Sequence, residues 1–167
     1  MAHHLILGHS DVLAMWAARR IPHVGEAGFG PCQAIGVASG PGDDDKLLAV
    51  VVFHDWQPAC GTLQCTVAAA SPRWASRGAL QALFAYGFEQ CGARKLWTCT
   101  PLGPGLNKAQ AAMSKRALKF NAGIGFRSEA TLREHFGRGI HAEICGFMRS
   151  EYQRSRWHVQ VPAKEAA

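Results

Sequence analysis

Apolar and polar residues alternate along this chain in two different periods, and the switch between them falls near residue 72. Before it, Leu63, Cys65 and Val67 alternate with Gln64, Thr66 and Ala68, the two-residue period of a strand with one face on a core. After Pro72, the residues Ala79, Leu80, Leu83, Phe84, Gly87, Phe88 and Cys91 fall at three- and four-residue steps, a single apolar stripe on a helix. Residues 63–90 therefore read as strand, short polar loop and helix.

The remaining elements follow from the same two periods. Residues 4–8 form a short strand, and Ser10 with Asp11 behind it predicts the N-cap and first turn of a helix that Pro22 closes. A glycine-rich loop spans 23–31. Strands over 33–38 and 47–56 make a hairpin with an acidic, solvated tip, and the apolar run 47–53 belongs at the centre of a sheet. Residues 95–100 read as a strand stopped by Pro101, parallel to 63–68 because a crossover helix joins the two. A helix starts at Asn107 and ends at Gly123 and Gly125, and a hairpin over 125–133 and 140–150 follows. Residues 1–152 make one domain on this reading, and 153–167 a polar tail.

Composition narrows the class. With 167 residues, 48% apolar and 9% aromatic, the chain is long enough and greasy enough for a real core. It has no run of about 18 uncharged apolar residues, and its start, Met1-Ala2-His3-His4, lacks the basic-then-apolar order of a secretory signal. Both features point to the cytoplasm and away from a membrane. The six cysteines are dispersed without a C-x-x-C pair, as buried reduced thiols are, and neither Cys nor His recurs at a metal-ligand spacing. Charge is uneven: residues 1–83 hold five Lys/Arg against six Asp/Glu, and 84–167 hold thirteen against six. A basic second half suits polyanionic partners, coenzyme A and nucleic acid among them.

The loop between strand and helix is where chemistry concentrates. A helix start presents unpaired N–H groups and the positive end of the peptide dipoles. Here Gly78 has no side chain to keep a ligand away, Ser76 and Ala79 are small, and Arg73 and Arg77 add charge, a cradle suited to a diphosphate. With this run, Arg73-Trp74-Ala75-Ser76-Arg77-Gly78, the chain resembles the GNAT-type N-acetyltransferase superfamily, whose acyl-CoA loop reads Gln/Arg-x-x-Gly-x-Gly/Ala. Ser76 stands where that family usually has glycine. The likeness continues in Asn107 opening a helix, Gly125-Phe126 at its end, then Arg127, Glu129, Leu132-Arg133 and a strand ending Phe147-Met148-Arg149. That layout is similar to the ribosomal-protein and small-molecule acetylating branch and covers roughly residues 4–152.

The resemblance implies a mixed α/β (α+β) GNAT fold: a mostly antiparallel central sheet of about seven strands, helices on both faces, and a splayed parallel pair in the middle. It implies acetyl-CoA as cofactor, held by Arg73, Trp74, Ser76, Arg77, Gly78 and Ala79, with a backbone N–H near Val67 or Ala68 on the thioester oxygen. Asn107 matches the residue that helps hold the cofactor arm. The acceptor is then an amine of a small molecule or protein. Many relatives carry a tyrosine general acid four residues before the Gly-Phe pair, where this chain has Asn121. Ser114 on the same helix can hydrogen-bond the leaving sulfur, His54 at a strand end has the intrinsic pKa of a base, and Gln64 can position an acceptor or a water. Two alternatives stay open: a DNA adenine-modifying protein of the phage Mom type, and a GNAT-fold binding module without catalysis. The resemblance also leaves a homodimer open.

Overall fold

The computed structural model describes residues 3–40 and 46–159. The expected acidic hairpin tip at 41–45 and the end of the expected tail, 160–167, lie outside the described residues. In order the elements are β1 (His3–Ile6), α1 (Ser10–Ala18), β2 (Cys32–Ser39), β3 (Lys46–Gln57), β4 (Thr62–Ala69), α2 (Arg77–Ala85), β5 (Lys95–Leu102), α3 (Lys108–Ile124), β6 (Arg127–Leu132), β7 (His141–Met148) and α4 (Arg149–Gln153). The seven strands form one sheet in the order β1-β2-β3-β4-β5-β7-β6. Every neighbouring pair is antiparallel except β4 and β5, the pair bridged by a helix.

The strand period sorts side chains onto the two faces. Ile35 and Val37 of β2, Val51 and Phe53 of β3 and Leu63 and Cys65 of β4 join α2 (Leu80, Leu83, Phe84), α3 (Ile124) and α4 (Tyr152) in one core. The alternate positions Ala34, Val50, Val52 and Ala68 pack under α1 through Leu13 and Ala17. The run 47–53 is central and buried on both faces, which is why it reads as continuously apolar. Ser10 is the first helical residue rather than the cap: its hydroxyl leaves the helix end to accept from the N–H of Ala34 at 2.7 Å, stitching α1 to β2. Near residue 153 the structure also departs from the sequence reading. Trp157 is a core side chain, its indole donating to the Ile124 carbonyl at 2.7 Å.

What matters for a site is how β4 leaves β5. The ladder between them holds only Thr62 with Lys95, Leu63 with Leu96 and Gln64 with Trp97. Beyond that the strands part. On the β5 side, the bond from Arg149 N–H to the Arg94 carbonyl sets the alternation along β7, so even-numbered residues of β5 bond to β7 and odd-numbered ones face β4. Pro101, expected to stop this strand, is instead paired in register with Ala142. Its missing N–H would have pointed into the gap, where no strand waits for it, so the proline costs no ladder bond.

Candidate functional site

The gap between the parted strands opens into a cavity of about 450 Å³. Cys65, Thr66 and Val67 of β4 and Thr98, Cys99, Thr100 and Pro101 of β5 form its two flanks. Consecutive strand residues face opposite sides of a sheet, so this lining passes through the sheet from one face to the other. On the α2 and α3 face it is walled by Gln110, Met113, Ser114, Ala117 and Asn121. On the α1 face it is walled by Arg20, Ile21, Pro22 and His23, and by Phe136 and Ile140 from the connection between β6 and β7.

That second wall is assembled by loop-to-loop contacts. The rings of His23 and Phe136 lie 4.3 Å apart, bringing the end of the α1 connection against the β6–β7 connection. The latter is fixed in turn by Gly105 N–H donating to the Gly139 carbonyl at 2.9 Å. Gly103, with φ +123°, passes so close to that carbonyl that a Cβ there would sit 2.4 Å from it; only glycine fits.

The start of α2 lies just past the end of β4. Pro72–Trp74 forms a 3-10 turn, and Ser76 is the N-cap of α2, its Oγ accepting from the N–H of Ala79 at 3.3 Å. Serine where the resemblance calls for glycine is therefore a helix cap. It takes the Ala79 N–H that the sequence reading gave to a ligand. Among the described residues nothing accepts from the N–H groups of Arg77 or Gly78, and a Cβ built on Gly78 meets nothing within 4 Å. Arg73, Arg77 and Gly78 are exposed, whereas Trp74 is a core residue, its ring 5.4 Å from that of Phe120. The loop can thus offer two backbone donors and two guanidiniums to an anion, and Trp74 anchors it from beneath.

Of Val67 and Ala68, the structure separates the two. Ala70 N–H donates to the Leu48 carbonyl, so by alternation Ala68 exchanges its bonds with Val50 of β3 while the N–H of Val67 faces the gap. Asn107 caps α3 in a reciprocal box with Gln110, accepting its N–H at 2.9 Å and donating its own N–H to the Gln110 side chain at 3.0 Å. Gln110, not Asn107, lines the cavity.

The three candidates for proton chemistry are placed differently. Ser114 lines the cavity and is 7% exposed. His54 stands behind the wall: its Nε2 is hydrogen-bonded to Thr66 Oγ1 at 2.9 Å, and Thr66 lines the cavity. Burial lowers the His54 pKa below its ordinary value, with Asp55 opposing that shift. Gln64, opposite His54 on β4, is half-buried and does not line the cavity. Asn121 lines it and donates to Thr98 Oγ1 at 3.1 Å. Of the predicted site residues only Val67 and Ser114 line the cavity; Arg20, His23, Thr66 and Phe136 are among the lining residues that the sequence reading did not single out, and the pKa of His23 is lowered by burial and by His135. The two thiols on the flanks are held protonated by burial, Cys65 pushed up to about 12 and Cys99 to about 11.

By sequence the chain matches no family model and no curated protein. In three dimensions it is similar to a chimera of the spermidine N-acetyltransferase SpeG from Vibrio cholerae and hSSAT, at 13% identity and a TM-score of 0.66 over 92% of this chain and 99% of that one. It is also similar to a dodecameric spermidine N-acetyltransferase from Vibrio cholerae, at 16% identity and a TM-score of 0.57 over 76% and 71%. The chain has the GNAT fold. The seven-stranded, mostly antiparallel sheet with a single parallel pair that parts matches what the GNAT resemblance implied. No helix among the described residues is long and apolar enough to cross a membrane.

Proposed function

We propose that this GNAT-fold chain is an acyl-CoA-dependent N-acetyltransferase, carrying the acetyl group of acetyl-CoA to an amine. The observation that carries the reading is a cavity running through the sheet between the parted β4 and β5, with an open helix start at the end of β4. The structural likeness to N-acetyltransferases supports it. Acetyl-CoA, when bound, would supply the acetyl group as a thioester, and coenzyme A would leave as a thiolate that takes its proton from solvent. Arg77 and Gly78 N–H groups, with the Arg73 and Arg77 side chains, hold the phosphates. Val67 N–H donates to the thioester oxygen as negative charge gathers there.

The acceptor nitrogen attacks only when uncharged, so a proton must leave it. Thr66 Oγ1 accepts the amine N–H and passes a proton to His54 Nε2, which burial keeps neutral and ready. A C–N bond forms as the C–S bond breaks. Ser114 donates to the sulfur from the opposite wall, doing as hydrogen-bond donor what relatives do with tyrosine. With Cys65 and Cys99 protonated, neither serves as nucleophile, and the acetyl group passes directly to the amine.

The test is calorimetric titration of coenzyme A into the wild type and into Gly78→Trp, whose indole has open space to occupy at the cradle. Heat of binding with the first and none with the second is expected; no binding to the wild type overturns the proposal.

A further inference from the structure

Resting on the acyl-transfer reading, and naming the substrate it leaves open, we infer that the acceptor is an amino carboxylate with an apolar body, and not a polyamine. The α1-side wall of the cavity supplies the argument. Its surface is built from Ile21, Pro22, Phe136 and Ile140, which suits an apolar body. At its edge stands Arg20, whose guanidinium lies 3.7 Å from the centre of the Trp16 ring and donates one bond to the Trp16 carbonyl at 3.0 Å. Stacking uses the flat faces of the guanidinium and leaves its remaining edge donors free to point outward. No carboxylate among the described residues pairs with it. Among the described residues it is a cation held in place without a counter-charge.

Among the described residues no Asp or Glu lines the cavity. Glu134, the acid of the β6–β7 connection, is turned back into its own loop, where it accepts from the Gly139 N–H at 3.1 Å. A second ammonium on the acceptor would lose its water here, find no anion and face Arg20. A carboxylate would meet a planar fork suited to two parallel charge-assisted bonds. The spermidine named for the similar solved structures is the opposite kind of molecule, cationic at every polar position.

The experiment compares three acceptors at equal concentration with the intact chain and acetyl-CoA, reading thiol release: phenylalanine, its decarboxylated counterpart phenethylamine, and spermidine. Phenylalanine is expected to exceed phenethylamine roughly tenfold or more in kcat/KM, the worth of a charge-assisted pair, with spermidine last. Arg20→Gln is expected to shrink the ratio of phenylalanine to phenethylamine to under about twofold, through KM, with Arg20→Lys in between because charge is kept and the fork lost. Calorimetry of N-acetylphenylalanine against the wild type and Arg20→Gln gives a readout independent of turnover, and weaker binding by a similar factor is expected. A preference for spermidine or phenethylamine, an unchanged ratio in Arg20→Gln, or turnover of none of the three overturns this inference. If coenzyme A binds in the same preparation, the acyl-transfer reading survives that result; if it does not, both fall.

Discussion

The cavity and the helix start beside it are built in contrasting ways. The part proposed to hold the cofactor is local and made of backbone: β4, a 3-10 turn and the start of α2 are consecutive in the chain, and the donors it can offer are the N–H groups of Val67, at the cavity, and of Arg77 and Gly78, which do not line it. The acceptor end is made of side chains from four separate places, Arg20 to His23 after α1, Thr66 on β4 backed by His54 on β3, and Phe136 with Ile140 before β7. A fold can preserve the first through large sequence change, because any residue supplies an N–H. The second is free to change with each substitution, so one scaffold serves many acceptors.

The largest expected effect breaks the cofactor end alone. Gly78→Trp fills open space rather than clashing with the protein, so its melting temperature should stay near that of the wild type. Its affinity for coenzyme A should fall by more than about a hundredfold, the loss of two hydrogen bonds to a charged group. Binding within a few-fold of wild type would mean that the phosphates sit elsewhere. Next comes the junction between the ends. His54→Gln keeps a hydrogen-bonding group near Thr66 but removes the proton acceptor, and kcat should drop about ten- to a hundredfold with coenzyme A affinity retained. An undiminished kcat would remove the Thr66–His54 path and leave His23 as the remaining histidine on the cavity.

A smaller effect is expected at the acceptor wall. Phe136→Ala removes an apolar surface and the ring that meets His23 at 4.3 Å. The acceptor KM should rise about three- to tenfold, in line with the loss of one aromatic contact. A rise in the KM for acetyl-CoA instead would show that the two ends have been assigned the wrong way round.

The same contrast explains what was legible in the sequence. Strand alternation at 63–68 and the helical stripe after Ser76 are local signals, and they are enough to place the sheet's centre, the crossover and the start of α2. Ser76 is of the residue type that helix N-caps favour, so its role at the start of α2 is a local signal too. Thr66 looks like any strand threonine until the register of β3 and β4 brings His54 to it. His23 and Phe136, 113 positions apart, meet only because β1 to β3 and β5 to β7 close on opposite sides of the parting strands. Trp157 is hidden for a related reason: Gln153, Arg154, Ser155, Arg156 and His158 surround one indole that belongs to the core.

The smallest effect sharpens the contrast through pH. Both histidines of the acceptor end have pKa values lowered from the ordinary 6.5, His54 by burial against the opposing pull of Asp55, and His23 by burial and by the neighbouring His135. A lowered folded pKa means that the unfolded chain binds the proton more readily. Their contribution to stability is therefore complete above pH 6.5 and is lost as pH falls through the depressed folded values. The melting temperature should accordingly be flat from pH 8 to pH 7 and lower at pH 5. His23→Gln and His54→Gln should each flatten that decline, whereas Gly78→Trp, at a helix start built without histidine, should reproduce it. A decline just as steep in the double histidine variant would show that the proton is taken up elsewhere, and that the acceptor end is no more buried than the cofactor end.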